Sequence, residues 1–292
     1  MTWRAAIDQA VARLTTAGVE DAALNAEYLS AHVLSLERRT GIRSFLDVEI
    51  SSGNETAFFE LVRRRILREP LQYILGEWEF YGLPIEIDSS ALIPRPETEL
   101  LVEQTIEAAQ KRSKNISILD IGTGSGAIAL ALAKHLPDAH IVGIDSSERA
   151  LRLARKNAES LQLGTVRFLQ SDIFSESWQS PENKFEESPE KKFDLVVSNP
   201  PYISLEEFET LAPELRHFEP RNALTDEGDG LRFYRRIAEL APAILRPEGR
   251  LLVELGYGMA EAVSRIMQEA GIECLDVIDD LSGVPRVLIA RL

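Results

Sequence analysis

Apolar residues recur at three- and four-residue spacing along the first 75 positions: Ile7, Val11 and Leu14, then Leu24, Tyr28, Leu29 and Val33, then Phe58, Leu61, Val62, Ile66 and Leu67. That period puts each set on one helix face, and Gly18, Gly41 and the cluster Ser51-Ser52-Gly53-Asn54 punctuate them. A small helical bundle is predicted. From Glu77 to Ile93 the texture changes. Trp78, Phe80 and Tyr81 precede Gly82, and Leu83, Ile85 and Ile87 alternate after it, the pattern of a hairpin.

Beyond residue 115, short apolar runs alternate with helical stretches, which predicts an α/β domain with a mostly parallel sheet wrapped by helices. Strands are expected at Ile116 to Ile121, His140 to Ile144, Val166 to Gln170, Phe193 to Ser198, Arg250 to Leu255, Glu273 to Ile278 and Arg286 to Ala290. Helices are expected over Ala127 to His135, Ser147 to Ser160, Gly230 to Leu245 and Met259 to Ala270. The chain thus divides into a helical domain over 1–75, a hairpin linker over 76–95 and an α/β domain over 96–292. Glu176 to Lys192, polar and broken by prolines, fits no core element and reads as a mobile surface insertion. The run Arg63-Arg64-Arg65 with Arg68 is either a docking patch for an acidic partner or a solvated helix face, the commoner case.

Composition narrows the function. At 292 residues, 45% hydrophobic and 27% charged, the chain is an ordinary globular protein with room for a sizeable core. No apolar run approaches the roughly 18 residues of a membrane span, and the start Met1-Thr2-Trp3-Arg4 lacks a secretory apolar segment, so a cytoplasmic protein without a membrane partner is expected. Cys274 is the only cysteine and His32, His135, His140 and His217 are scattered, so no metal site is expected. A net charge of −15 opposes a phosphate-neutralising surface, and direct nucleic-acid contact is not expected.

Two motifs carry chemistry. Asp120-Ile121-Gly122-Thr123-Gly124-Ser125-Gly126 follows the first predicted sheet strand and opens a helix. Glycines there permit a tight turn and close backbone approach to a small ligand at a helix amino terminus. With Ala127 as third small residue the dinucleotide pattern is met as well, and Asp145, about twenty residues on, suits a ribose hydroxyl pair in either case. Two acids favour S-adenosyl-L-methionine. The charge of Asp120 suits a sulfonium or ammonium, and Asp172 can accept from an adenine amino group while Ile173 packs on the ring. Capping or solvation is the plainer role for either acid.

The second motif, Asn199-Pro200-Pro201-Tyr202, follows the apolar run Phe193 to Ser198. It sets a carboxamide, two rigid imino acids and an aromatic ring at the carboxyl end of a buried strand, where open α/β sheets keep their ligands. A planar nitrogen can be held and alkylated there. A strand-to-loop turn is the alternative, since Asn-Pro initiates turns.

Together these residues resemble the class I S-adenosylmethionine-dependent methyltransferases and, more narrowly, the protein-(glutamine-N5) methyltransferases of peptide chain release factors. The likeness runs through Arg68 to Gly76, Leu92-Ile93-Pro94-Arg95-Pro96-Glu97-Thr98-Glu99, the glycine loop, Asn199 to Tyr202, Phe218 to Arg221 and Gly283 to Arg286. It implies a Rossmann-like fold with helices on both faces of the sheet and a helical domain that recognises substrate. It also implies that Gly122, Thr123, Gly124, Ser125 and Gly126 hold the methionine and ribose of the cofactor, Asp145 the ribose, and Asp172 with Ile173 the adenine. Asn199, which touches cofactor as well, would join Pro200, Pro201 and Tyr202 around the glutamine of the Gly-Gly-Gln loop of a class I release factor.

In that setting the Asn199 side-chain oxygen and the Pro200 carbonyl would accept the two amide N–H bonds. Tyr202 would stack on the amide or serve as a structural donor. The tetrapeptide is shared with enzymes that methylate amino groups of nucleic-acid bases, and a ribosomal-protein glutamine would fit the same pocket. A nicotinamide-dependent oxidoreductase leaves the tetrapeptide unexplained, and a non-catalytic adaptor does not need it. Pro94 to Thr98 is either a rigid linker into a helix or a cover for the cofactor pocket. Met259, where relatives often have glutamine, is assigned to an outlying helix.

Overall fold

The amino-terminal apolar stripes fold as helices. In a computed structural model, which describes residues 1–37, 39–112, 115–175 and 192–292, α1 (Trp3–Thr16) buries Trp3, Ala6, Ile7, Ala10 and Leu14. Its first turn is capped by Thr2, whose hydroxyl accepts from the Ala5 N–H. α2 (Ala22–Val33) and α3 (Ser52–Ile66) follow, α3 capped by Ser51; such caps satisfy N–H groups that a helix start leaves unpaired. Trp3 meets Phe58 edge-on, ring centroids 5.6 Å apart. α4 (Leu71–Leu75) completes this run.

These helices, over Met1–Glu77, form one compact unit together with Ala212–Phe218, and Trp78–Leu211 with Glu219–Leu292 form another. The returning piece carries Glu214, and it corrects the solvated-face reading of the arginine run. Arg65 is buried: its Nε donates to Asn25 Oδ1 at 2.8 Å, its Nη1 to the Glu69 carbonyl at 3.1 Å and its Nη2 to Glu214 Oε1 at 3.0 Å. Arg68 donates to Glu214 Oε2 at 2.7 Å and to the Gly18 carbonyl. Arg63, paired with Glu60, is exposed as expected.

The second unit opens on β1 (Glu77–Phe80) and β2 (Leu83–Glu86), joined through Tyr81 and Gly82, both at positive φ, as a two-residue hairpin turn requires. α5 (Thr98–Gln110), β3 (Ser117–Ile121), α6 (Ala127–His135), β4 (His140–Asp145), α7 (Glu148–Ser160) and β5 (Arg167–Gln170) come next. After β6 (Phe193–Ser198) lie the short helices α8 (Leu205–Phe208), α9 (Pro213–Phe218, in the first unit) and α10 (Arg221–Leu224). α11 (Arg232–Ile244), β7 (Leu245–Glu254), α12 (Ala260–Glu269), β8 (Glu273–Asp279) and β9 (Pro285–Arg291) complete the chain. Apart from Lys192, the expected insertion lies outside the described residues.

One seven-stranded sheet runs β5-β4-β3-β6-β7-β9-β8, with β9 antiparallel to both its neighbours and the other pairs parallel. Alternate residues Leu119, Ile121, Val142, Ile144, Val196, Leu251, Val253 and Leu288 share a core with Tyr234, Ile237 and Val263 from α11 and α12. The period of two puts Ile118 and Asp120 on the opposite face, where α5 and α6 pack against the sheet. β3 is therefore buried throughout. The chain leaves β3 toward β4 and β5 on one side and later returns to β6 on the other, so the strand order switches between β3 and β6. A crevice at their carboxyl ends is where such sheets bind ligands.

Candidate active site

That crevice is a cleft enclosing about 1050 Å³, part of it open to solvent. Gly122 to Ser125, Asp145, Asp172, Ile173 and Asn199 to Pro201 line it, together with Phe80, Leu92, Pro94, Arg95, Thr98 and Phe233. Pro94 to Thr98 is thus both a lead into α5 and part of the cleft wall. The glycine loop, Asp145, Asp172 and the Asn199 turn meet here because they end or follow β3, β4, β5 and β6 of one sheet, while Leu92, Pro94 and Arg95 lead into α5, Phe80 ends β1 and Phe233 lies on α11.

The glycine loop is held from below. Gly122 and Thr123 both donate N–H to the Ile144 carbonyl at 2.9 Å, and Gly122, Gly124 and Gly126 all have φ between 55° and 83°, a region that side chains disfavour. A Cβ on Gly126 would sit 3.1 Å from Ala154 and Phe168, so close packing of loop on helix also asks for glycine. Asn157, fully buried on α7, donates to the Ser125 and Glu86 carbonyls and accepts from the Glu86 N–H. This carboxamide, which no local motif announces, fastens the loop to β2.

Asp120 does not reach the cleft wall. Its Oδ2 accepts the Thr123 hydroxyl at 2.6 Å, its Oδ1 is buried without a partner, and burial, with the Asp145 charge, pushes its pKa up to about 7. Through Thr123 the Asp120 carboxyl supports the glycine loop from beneath. Asp145 does line the cleft, with Oδ2 accepting from Gly124 N–H at 3.0 Å and Oδ1 from Ser147 N–H at 2.8 Å. Burial raises its pKa against those backbone donors. A carboxylate offers about four lone pairs, so Asp145 keeps acceptor capacity for a diol hydroxyl. Asp172 Oδ1 accepts the Phe174 N–H at 2.9 Å, and Ile173 and Phe233 add apolar wall.

The turn after β6 is tied to a buried acid. Asn199 Nδ2 donates to Thr98 Oγ1 at 3.0 Å, the Thr98 hydroxyl donates to Glu254 Oε2 at 2.6 Å, and the Tyr202 hydroxyl donates to Glu254 Oε1 at 3.3 Å. Tyr234 adds a bond to the Glu254 backbone carbonyl at 2.7 Å. Burial pushes the Glu254 carboxyl up to about pKa 7, opposed by the Thr98 hydroxyl, Arg286 and Tyr202, and raises Tyr202 well above the ordinary phenol range. Among the described residues nothing donates to Asn199 Oδ1 or to the Pro200 carbonyl.

Tyr202 is half-buried with its hydroxyl on Glu254, the contact of a structural donor. Met259 is not outlying either: Cβ atoms on Gly256 and Gly230 would fall 2.9 Å from its Sδ and 2.8 Å from its Cε, so it packs beside Tyr202 under the turn. Glu219, a further buried acid, accepts the Ile93 N–H at 3.1 Å and pairs with Arg95, fixing the Pro94 segment. The sequence singles out Thr98 and Glu219 only as members of longer segments, Glu254 only as a base that an amide acceptor has little need of, and Asn157 not at all.

The sheet order, the loop after β3 and the turn after β6 define a methyltransferase domain, and residues 112–278 match that domain family. A crystal structure of a methyltransferase from Pyrococcus furiosus shares the fold, with a TM-score of 0.52 at 20% identity over 78% of this chain and 96% of that one. Residues 5–76 match the PrmC N-terminal domain. The chain is 42% identical to the release factor glutamine methyltransferase of Fusobacterium nucleatum, over 97% of its own length and 77% of the relative's. It is 41% identical to that of Geobacter sulfurreducens, over 100% and 97%. The chain belongs to the family of release factor glutamine methyltransferases.

Proposed function

We propose that this enzyme transfers a methyl group from S-adenosyl-L-methionine to the side-chain amide nitrogen of the glutamine in the Gly-Gly-Gln loop of a class I peptide chain release factor. The reading is supported by Asn199 and Pro200 lining the same cleft as the glycine loop, with Asn199 Oδ1 and the Pro200 carbonyl taking no donor among the described residues. S-adenosyl-L-methionine supplies an electrophilic methyl carbon when bound. The unspent lone pairs of Asp145, the glycine loop and the apolar Ile173 and Phe233 suit its ribose, its methionine end and its adenine.

A carboxamide nitrogen is a poor nucleophile because its lone pair is delocalised, so orientation contributes most. Accepting both amide N–H bonds, Asn199 and Pro200 would aim the nitrogen and raise its electron density, and two successive prolines would keep the acceptors from wandering. The proline-rich segment with Leu92 and Pro94 would help exclude water. We assign residues 1–75 to release-factor recognition, 76–95 to a hairpin linker and 96–292 to catalysis. The protein would work in the cytoplasm, where release factors act; among the described residues no helix is long and apolar enough to cross a membrane.

Mass spectrometry of a release factor from cells with and without the gene tests this substrate. One methyl group on the Gly-Gly-Gln glutamine should vanish with the gene; its persistence, with loss instead from a ribosomal protein or a nucleic-acid base, overturns the assignment.

A further inference from the structure

We propose that Thr98 and Glu254 are positioning residues that set which end of the Asn199 carboxamide is offered to the substrate, an ionised Glu254 keeping the oxygen rather than the NH2 free. The proposal rests on the acceptor role given to Asn199 above. Its basis is a count of protons along one buried chain of hydrogen bonds.

An ionised carboxylate only accepts, and a hydroxyl has one proton to give. Glu254 is 1% exposed and takes the hydroxyl protons of Thr98 at 2.6 Å and Tyr202 at 3.3 Å. The Thr98 proton is therefore spent, and toward Asn199, 3.0 Å away, Thr98 Oγ1 offers lone pairs alone. Only the NH2 end of the carboxamide satisfies that contact. A flipped Asn199 would set two oxygens together with no proton between them, beside a threonine that is 4% exposed and so poorly placed to recruit water.

Protonation of Glu254 removes the constraint. Protonated on Oε2, the acid donates to Thr98, whose own proton is then free to point toward Asn199, and the flipped carboxamide presents NH2 to a substrate amide that also presents N–H. The groups around Glu254 are Thr98 and Glu97 at the start of α5, Tyr202 after β6, Tyr234 on α11 and Arg286 on β9. Burial and Glu97 raise its pKa, and Arg286 with the hydroxyl donors lowers it, leaving it at about 7. Methyl transfer should therefore weaken on the acid side of neutrality, independently of the substrate amide, which does not titrate there.

The test compares wild type, Thr98→Val, Thr98→Ser and Asn199→Ala in single-turnover methylation of a class I release factor across pH, with S-adenosyl-L-methionine affinity measured by calorimetry. Valine keeps the shape and removes the hydroxyl; it should slow transfer about 10- to 100-fold, leave cofactor affinity unchanged and abolish the acid limb. Serine should restore both the rate and the limb. A Thr98→Val enzyme with wild-type rate and an intact acid limb, beside an inactive Asn199→Ala, overturns the positioning role alone. A fully active Asn199→Ala overturns the acceptor reading and this proposal with it. Should valine abolish cofactor binding, Thr98→Ser decides: wild-type rate and limb support the proposal, a slow enzyme without the limb contradicts it.

Discussion

Replacing Gly230 with alanine should disable the turn after β6 from behind. Gly230 has φ of +78°, and a Cβ there would lie 2.3 Å from the Tyr202 carbonyl oxygen and 2.8 Å from the Met259 methyl. The Met259 end can swing aside. The Tyr202 oxygen is backbone, and restoring even a 3.0 Å contact moves it by about 0.7 Å. The left-handed conformation costs alanine about 1–2 kcal/mol, and overpacking adds about 1–3 kcal/mol, so stability should fall by about 2–5 kcal/mol. The displaced carbonyl belongs to the same turn as Asn199, and misplacement approaching 1 Å slows transfer by up to about 100-fold. Cofactor affinity should stay near wild type, because the glycine loop follows a different strand. Urea denaturation, calorimetry and single-turnover methylation separate these effects. Gly228→Ala is the control, its Cβ meeting nothing closer than 3.5 Å. If Gly230→Ala matches Gly228→Ala in rate and stability, the turn is not held as argued.

Asp145→Asn replaces an acceptor that faces backbone N–H donors and should weaken S-adenosyl-L-methionine binding by about 10- to 100-fold in calorimetry, one lost charge-assisted bond being worth about 1.5–3 kcal/mol. Asp120 has its pKa raised from 3.8 to about 7, so the folded state holds a proton that the unfolded state releases; its contribution is whole below pH 3.8 and is lost as pH rises through about 7. Asp120→Asn, which keeps an acceptor for Thr123, should therefore gain about 2–3 kcal/mol relative to wild type between pH 5 and pH 8 in urea titrations. An unchanged difference would contradict that burial cost. Arg65→Met leaves Asn25 Oδ1 without its donor and Glu214 with Arg68 alone, and should destabilise the amino-terminal unit by about 1–3 kcal/mol, whereas Arg63→Met, at an exposed pair, should leave the urea midpoint close to wild type.

What the sequence discloses here is what a few adjacent residues can encode. The glycine loop and the Asn199 turn are each written in consecutive positions, and the strands before them read as apolar runs, so their place at the carboxyl ends of β3 and β6 follows from pattern alone. The chain from Asn199 through Thr98 to Glu254 has no such signature: its members lie 101 and 156 residues apart and meet only after the sheet forms. Arg65 and Arg68 read as solvated for the same reason, since Glu214 arrives from 149 and 146 residues away. Asp120 misleads differently. The period of two turns its side chain to the α5–α6 face, so a residue next to the loop in sequence sits beneath it.

Methyl transfer is proposed to rest on Asn199 and Pro200 orienting a glutamine amide. Its most direct test is the single-turnover methylation rate of a class I release factor by wild type and Asn199→Ala, at saturating S-adenosyl-L-methionine. Transfer to the Gly-Gly-Gln glutamine by wild type, with a loss of at least about 100-fold and unchanged cofactor affinity in the variant, is the predicted result. Equal rates for the two proteins would contradict it.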